Sequence, residues 1–138
     1  DDVFLLSSNV EDAYRDMLKI LAEVDSLPTA FFADNDLIAL GAIRALKEKA
    51  YRVPEDISII GFDDMEFCEM SSPRLTTVYV DKHGMGALAV KRVMEHVKKA
   101  HIKSLTKTEV DTRLIVRDSV ARIQPESQLS PDELNNNL

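Results

Sequence analysis

Residues 52–64 have the sequence RVPEDISIIGFDD, and this stretch decides the fold. Val53-Pro54 ends the helical pattern before it, because proline removes a helix hydrogen bond and clashes with the preceding turn. Residues 57–62 are apolar enough to form a strand that is covered on both faces, as in parallel sheets. Asp63-Asp64 follows at the carboxyl end of this strand. In open parallel sheets ligands bind beyond the carboxyl ends of the strands, so this turn is a candidate site.

Two similar strand, turn and helix units precede this stretch. Residues 3–6 are a first apolar run, and Ser8 with Glu11 three residues later predicts a capping box at the start of a helix. Residues 29–33 predict a second buried strand, and Asp34-Asn35-Asp36 leads from it into a helix over about 36–49. Strands and helices that alternate in this way predict an α/β fold with a parallel sheet.

The carboxyl-terminal part of the chain continues the pattern and then changes character. Residues 75–80 are β-branched and aromatic, which favours a strand, and a long helix is predicted from about Met85 to Lys99. Residues 110–116 alternate apolar and polar side chains, which predicts a half-exposed or edge strand. Residues 124–138 are rich in Pro, Ser, Gln, Asn and acidic residues, so we expect a flexible tail there.

The composition restricts the possible partners and compartments. A net charge of −7 argues against DNA binding by these residues themselves, because nucleic-acid affinity depends on clustered Lys and Arg. The sequence has no membrane-length apolar run and no export signal in residues 1–20, so we expect a cytoplasmic protein without membrane contact. Cys68 is the only cysteine, which excludes an intramolecular disulfide and indicates a buried or half-buried thiol.

Polar side chains occur at three predicted strand ends: residues 7–9, 34–36 and 63–64. Carboxylates and an amide accept hydrogen bonds from adjacent hydroxyls, which favours a polar, sugar-like ligand. A purely structural alternative is that Ser8, Asp34 and Asp36 only cap helices, because these residue types are preferred N-caps.

An enzymatic alternative uses the same carboxylates. Asp34 and Asp36, together with Asp63-Asp64, could surround a magnesium ion, a layout that resembles the haloacid-dehalogenase-like phosphatases. The hydroxyl and lysine expected downstream of such a nucleophile are not evident, since Leu37-Ile38 follows the first acidic pair. The three histidines are not spaced as metal ligands. We therefore expect no catalytic residues, no metal and no cofactor.

Four consecutive motifs resemble the effector domain of the LacI/GalR family of bacterial transcription regulators. They lie at residues 28–36, 39–42, 52–64 and 73–78, and the likeness extends over about residues 3–120. The resemblance implies a periplasmic-binding-protein-like (type I) fold, in which two α/β subdomains close on a small-molecule effector. It also implies a homodimer that binds operator DNA through an amino-terminal helix-turn-helix domain. No helix-turn-helix sequence is present among these residues.

The same resemblance predicts the domain organisation. Residues 1–123 would form part of an effector-binding domain, mostly its carboxyl-terminal subdomain. Residues of about 82–104 resemble a helix that belongs to the other subdomain. The opposite wall of the effector site, including an arginine, would come from segments that this chain does not include.

The resemblance also assigns roles to individual residues. Asn35 and Asp63 match positions that contact the effector, and Ser8 matches a position that is often a stacking aromatic, which is a departure from the family pattern. Ala50 is another departure, because relatives commonly have a glycine that ends this helix in a left-handed turn. The implied dimer interface lies on the helix of residues 36–49 and on residues 65–72. Its predicted residues are Leu37, Leu40, Ile43, Arg44 and Cys68.

The leading hypothesis is therefore an effector-sensing domain that binds a sugar-like ligand without chemistry. A sugar-binding protein of a transporter is the alternative among binding proteins. We regard it as less favoured because the sequence from Val53 to Ser58 is typical of regulators.

Overall fold

The computed structural model describes residues 3–98 and 106–122, and the predicted tail at 124–138 lies outside them. Helices and strands alternate through most of these residues, which confirms the predicted α/β class. In chain order the elements are α1 (Val10–Glu23), β1 (Ala30–Phe32), α2 (Asp36–Glu48), β2 (Ser58–Asp63), α3 (Phe67–Met70), β3 (Thr76–Val80), α4 (Lys82–Lys98) and β4 (Thr112–Ile115).

The four strands form one sheet in the order β1-β2-β3-β4. β1, β2 and β3 are parallel, as predicted, with Phe32 opposite Ile60 and Gly61 opposite Thr77. β4 lies at the edge, which confirms the prediction from its alternating pattern, but it runs antiparallel to β3. The sheet is therefore mixed.

The core is centred on α2, which packs against both α1 and β2. The helices α1 and α2 approach closely at Gly41, where an added Cβ would lie 2.6 Å from the carbonyl oxygen of Val10 and 2.8 Å from the Cβ of Ala13. The largest fully buried apolar side chains are those of Met17, Leu46, Ile59 and Leu75. The packing of α2 against α1 and β2 thus supports the carboxyl ends of β1 and β2.

Three predictions about residues 3–33 are wrong. Asn9, and not Ser8, caps α1, because its side-chain oxygen accepts a hydrogen bond from the Asp12 backbone N–H at 3.0 Å. Residues 3–7 form no strand, and β1 is an edge strand of the described sheet with Phe32 61% exposed. The apolar sequence of β1 predicted a buried strand, but its three side chains are exposed, half-buried and exposed in turn.

Ala50 keeps the left-handed turn that its position implied. Its φ is 66°, and the backbone N–H groups of Ala50 and Tyr51 donate to the carbonyls of Lys47 and Leu46 at 3.1 and 3.0 Å. This pattern is a Schellman motif, which usually has glycine at this position. An L-residue with a Cβ in this region costs about 1 kcal/mol or more. The helix end is therefore built as in a glycine-terminated helix, at some cost in stability.

α4 begins three residues earlier than predicted, at Lys82, and none of its described residues is buried. Its exposed apolar side chains are those of Met85, Val90, Val93, Met94 and Val97. Among residues 3–98 and 106–122, no helix combines the length and apolar character needed to cross a membrane.

Candidate functional site

The sheet brings two of the three predicted polar turns to one edge. β1 and β2 are parallel neighbours, so residues 34–36 and 63–65 both follow the carboxyl ends of adjacent strands. The Met65 backbone N–H donates to the Asp36 carboxylate at 2.8 Å, which joins the two turns directly. Asn35 and Asp63 therefore lie on turns that are in contact.

Asn35 is the N-cap of α2, with an extended φ of −153°. Its side-chain Oδ1 accepts a hydrogen bond from the Ile38 N–H at 2.9 Å. The cap is thus Asn35 and not Asp34, which is exposed. The cap uses one lone pair of Oδ1 and leaves the Nδ2 group outside it, so Nδ2 can act as a donor to a ligand.

Asp63 and Asp64 adopt consecutive left-handed conformations, with φ values of 108° and 50°. Aspartate and asparagine are the non-glycine residues that tolerate this region best. The turn reverses the chain immediately after β2 and leaves Asp63 half-buried at the sheet edge. The Lys82 ammonium group at the start of α4 donates to the Asp63 carbonyl oxygen, which places a cation at this turn.

Asp36 lies fully buried beneath the two turns. Its carboxylate accepts hydrogen bonds from the Thr77 hydroxyl at 2.5 Å and from the Met65 N–H at 2.8 Å. Burial, and then the neighbouring Asp36 carboxylate, raises the pKa of Cys68 to about 12. Gly61 leaves room for the carboxylate, because a Cβ at that residue would overlap it. Sequence reasoning considered Asp36 only as a cap or a metal ligand and missed this network.

These contacts argue against the magnesium site. The Asp36 carboxylate is enclosed, and each of its two oxygens accepts a hydrogen bond from another residue. Within the described part of the chain, no group of three or more His, Cys, Asp or Glu side chains is arranged to hold a metal ion. His101 lies outside the described residues, and His83 and His96 are exposed.

The structure does not bring Ser8 into this pair of turns by any direct hydrogen bond. Ser8 is exposed in a bend just before α1. The neighbouring Ser7 hydroxyl donates to the Asp16 carboxylate at 2.7 Å. Hydrogen bonds from Lys19 and then from Ser7 lower the pKa of Asp16 to about 2. The role of Ser8 in effector binding rested on the resemblance alone and stays a prediction.

A cavity of about 620 Å³ lies beside β1 and reaches one of the two turns only at Asp34. Residues 3–6, residues 30–34 and several core side chains line it, and the Phe4 and Phe31 rings meet edge to face at 5.6 Å. Neither Asn35 nor Asp63 lines it. Its walls are largely apolar, so it does not suit a polar ligand.

The predicted interface residues divide into two groups. Leu37 and Leu40 are half-buried and Arg44 is exposed, so these three side chains can contact a partner. Ile43 is only 4% exposed and Cys68 is fully buried, so both belong to the core. The assignment of Ile43 and Cys68 to the interface is corrected, because the packing of α2 and α3 turns them inward.

These features define a class of protein: a ligand-binding α/β domain whose polar groups gather at the carboxyl edge of a mainly parallel sheet. The family model of the periplasmic-binding-protein-like domain matches residues 4–120. The transcriptional repressor PurR of Pasteurella multocida is 47% identical over 111 residues, which cover 80% of this chain and 32% of that protein.

Solved structures agree with the sequence relatives. A LacI-family transcriptional regulator from Enterococcus faecium with bound ribose matches with a TM-score of 0.74 and 29% identity, covering 88% of this chain and 44% of that one. The lac repressor dimer bound to operator and an anti-inducer matches with a TM-score of 0.75 and 30% identity, covering 83% and 39%. The chain belongs to the periplasmic-binding-protein-like effector domains of LacI-family transcription regulators. It spans about a third of the length of the curated relatives it matches.

Proposed function

We propose that this chain forms one wall of the effector site of a LacI-like regulator, with Asn35 and Asp63 as ligand contacts. The observation that supports this most strongly is the direct hydrogen bond between their turns, from the Met65 N–H to Asp36. It holds an amide and a carboxylate at the edge of the sheet where ligands of such folds bind. The effector would then change the affinity of the full-length protein for its operator.

The ligand we propose is small and polar, with a sugar as the leading class. A carboxylate such as that of Asp63 pairs well with ligand hydroxyl groups, because hydrogen bonds to charged acceptors are the stronger ones. One of the similar regulators holds ribose. Ser8 has no aromatic surface for stacking, so hydrogen bonding would have the larger share in recognition.

The full-length protein would act as a cytoplasmic homodimer. On the proposed interface, Leu37, Leu40 and Arg44 lie on α2, and α3 adds Phe67, 50% exposed, and Met70, 73% exposed. Exposed apolar side chains next to each other are typical of association surfaces.

Operator contact would be made by an amino-terminal domain outside these residues, since the chain itself has a net charge of −7. We assign α4 to the other subdomain, which would cover its exposed apolar side chains.

Two alternatives lead to different experiments. A transporter's sugar-binding protein would bind the same ligands but would not respond by releasing operator DNA. A magnesium-dependent phosphatase would hydrolyse p-nitrophenyl phosphate, and Asp34→Asn would abolish that activity. The engaged carboxylate of Asp36 disfavours this second alternative.

A thermal-shift panel of sugars and nucleosides on the full-length protein tests the proposal. A ligand that binds only the native state at a hundred times its Kd stabilises it by about 2.7 kcal/mol. In a domain of this family's size that corresponds to a rise in Tm of several degrees. A rise with at least one compound, followed by altered operator binding in its presence, supports the proposal. No rise with any compound contradicts it.

A further inference from the structure

We propose that Asp36 and Thr77 act as a positioning pair that holds the turn of Asp63 in a fixed place relative to Asn35. This inference rests on the proposed function, because Asn35 and Asp63 are the ligand contacts that the pair would align. Neither Asp36 nor Thr77 would touch the ligand, since both are fully buried.

The pair connects three elements through one carboxylate. Asp36 is the first residue of α2, directly after the cap Asn35, so its position follows that of the helix end. One carboxylate oxygen accepts from the Met65 N–H in the turn, and the other accepts from the Thr77 hydroxyl on β3. The Thr77 oxygen in turn accepts a longer hydrogen bond of 3.4 Å from the Asp64 N–H. Two successive backbone N–H groups of the turn, those of Asp64 and Met65, therefore donate hydrogen bonds to this pair.

The turn needs such support because its backbone is strained. Asp63 and Asp64 both have positive φ values, which side chains with a Cβ adopt only at a cost in free energy. Strained conformations of this kind persist where surrounding contacts determine them. The hydrogen bonds from Asp64 and Met65 to the buried pair supply those contacts.

Positioning matters because polar recognition tolerates little displacement. A binding side chain must be held within about 0.5 Å of its productive geometry by neighbours that are themselves fixed. Asp36 and Thr77 meet that condition, since Thr77 is also paired within the sheet opposite Gly61. If the pair is broken, the turn can relax while the rest of the sheet stays folded.

Three substitutions in the full-length protein separate positioning from general stability. Thr77→Val keeps the shape of the side chain and removes the hydroxyl, and Thr77→Ser keeps the hydroxyl. Ser119→Ala is the matched control: its fully buried hydroxyl also joins two strands, accepting from the Thr76 N–H at 2.8 Å and donating to the Ile59 carbonyl at 2.6 Å. Ser119 makes no hydrogen bond to the turn of Asp63 in the described residues.

The first readout is hydrogen exchange at the Asp64 and Met65 amides without any ligand. We expect exchange at least tenfold faster in Thr77→Val, and within twofold of wild type in Thr77→Ser and Ser119→Ala. Unchanged exchange in Thr77→Val would overturn the proposal. Equal acceleration in Ser119→Ala would also overturn it, because the effect would then reflect general loss of stability.

The second readout is calorimetric titration with ribose. We expect Thr77→Val to bind at least tenfold more weakly than wild type, and Ser119→Ala and Thr77→Ser to bind within twofold. Equal affinity of wild type and Thr77→Val would overturn the positioning role. A wild-type protein that binds no ribose would instead exclude ribose as the ligand, and the exchange measurement would still decide the role of the pair.

Discussion

The guanidinium group of Arg117 lies 2.8 Å from the carboxylate of Asp64, and the two side chains are only 10% and 18% exposed. Arg117 also donates to the Leu75 carbonyl oxygen at 2.9 Å, and its backbone N–H donates to the Thr76 hydroxyl at 2.9 Å. The segment that follows β4 is thereby tied to the turn after β2. An ion pair this well shielded from water depends strongly on both of its partners.

Arg117→Met should therefore lower the free energy of unfolding by about 3–5 kcal/mol, because it leaves the Asp64 carboxylate buried without its partner. Arg74→Met is the matched control. Arg74 pairs with Asp118 at 2.7 Å, but both side chains are at least half exposed, so its loss should cost at most about 1 kcal/mol. Urea denaturation of both variants gives the comparison. Equal losses in the two would show that the Arg117 pair is not shielded as described.

Gly41 and Gly86 provide a second matched comparison, since both lie inside helices. Alanine is favoured over glycine in a helix by about 1 kcal/mol. At Gly86 nothing lies within 4 Å of an added Cβ, so Gly86→Ala should stabilise the protein by up to about that amount.

At Gly41 the added Cβ would meet the backbone of α1 at 2.6 Å, so Gly41→Ala should instead destabilise by at least about 1 kcal/mol. Thermal denaturation measures both effects. A rise in Tm with Gly41→Ala would contradict the close packing of α1 on α2.

Cys68 should react slowly with thiol reagents in the native protein. Its pKa is raised to about 12 from an ordinary value of 9.0, so at mildly alkaline pH the native thiol has roughly a thousandfold lower fraction of reactive thiolate. Because deprotonation in the folded state requires pH values near 12, labelling should stay slow between about pH 7 and 9 and become fast in guanidinium chloride. Rapid labelling of the folded protein would show that Cys68 is accessible and would restore it as a candidate interface residue.

Much of the architecture could be predicted because it depends on local patterns. The apolar run of residues 57–62 lies in or beside β2, and the alternating pattern of residues 110–116 predicted the edge position of β4. At Ala50 the resemblance left open whether the left-handed helix end is kept or built differently, and the structure shows that it is kept. Contact between the turns of Asn35 and Asp63 followed from the parallel sheet.

Other features depend on long-range contacts that no local pattern contains. Asp36 and Thr77 are 41 residues apart in sequence, and only the folding of the chain brings them together. Arg117 follows the alternating apolar and polar pattern of β4, which predicts an exposed side chain. Its side chain instead turns inward and pairs with Asp64. The cap shifted from Ser8 to Asn9 because both residue types suit the position equally well. Exposure of β1 depends on what lies beside it, which its own sequence does not determine.

Calorimetry on the full-length protein tests whether Asp63 contacts the effector. The ligand is the sugar or nucleoside that gives the largest thermal shift. Asp63→Asn suits the left-handed backbone but removes the charge, so losing a hydrogen bond to a charged acceptor should weaken binding by about 10- to 100-fold. Asp34→Asn, at an exposed carboxylate on the neighbouring turn, is the control and should leave affinity unchanged. If Asp63→Asn binds this ligand with the same affinity as the wild-type protein, Asp63 does not contact the effector.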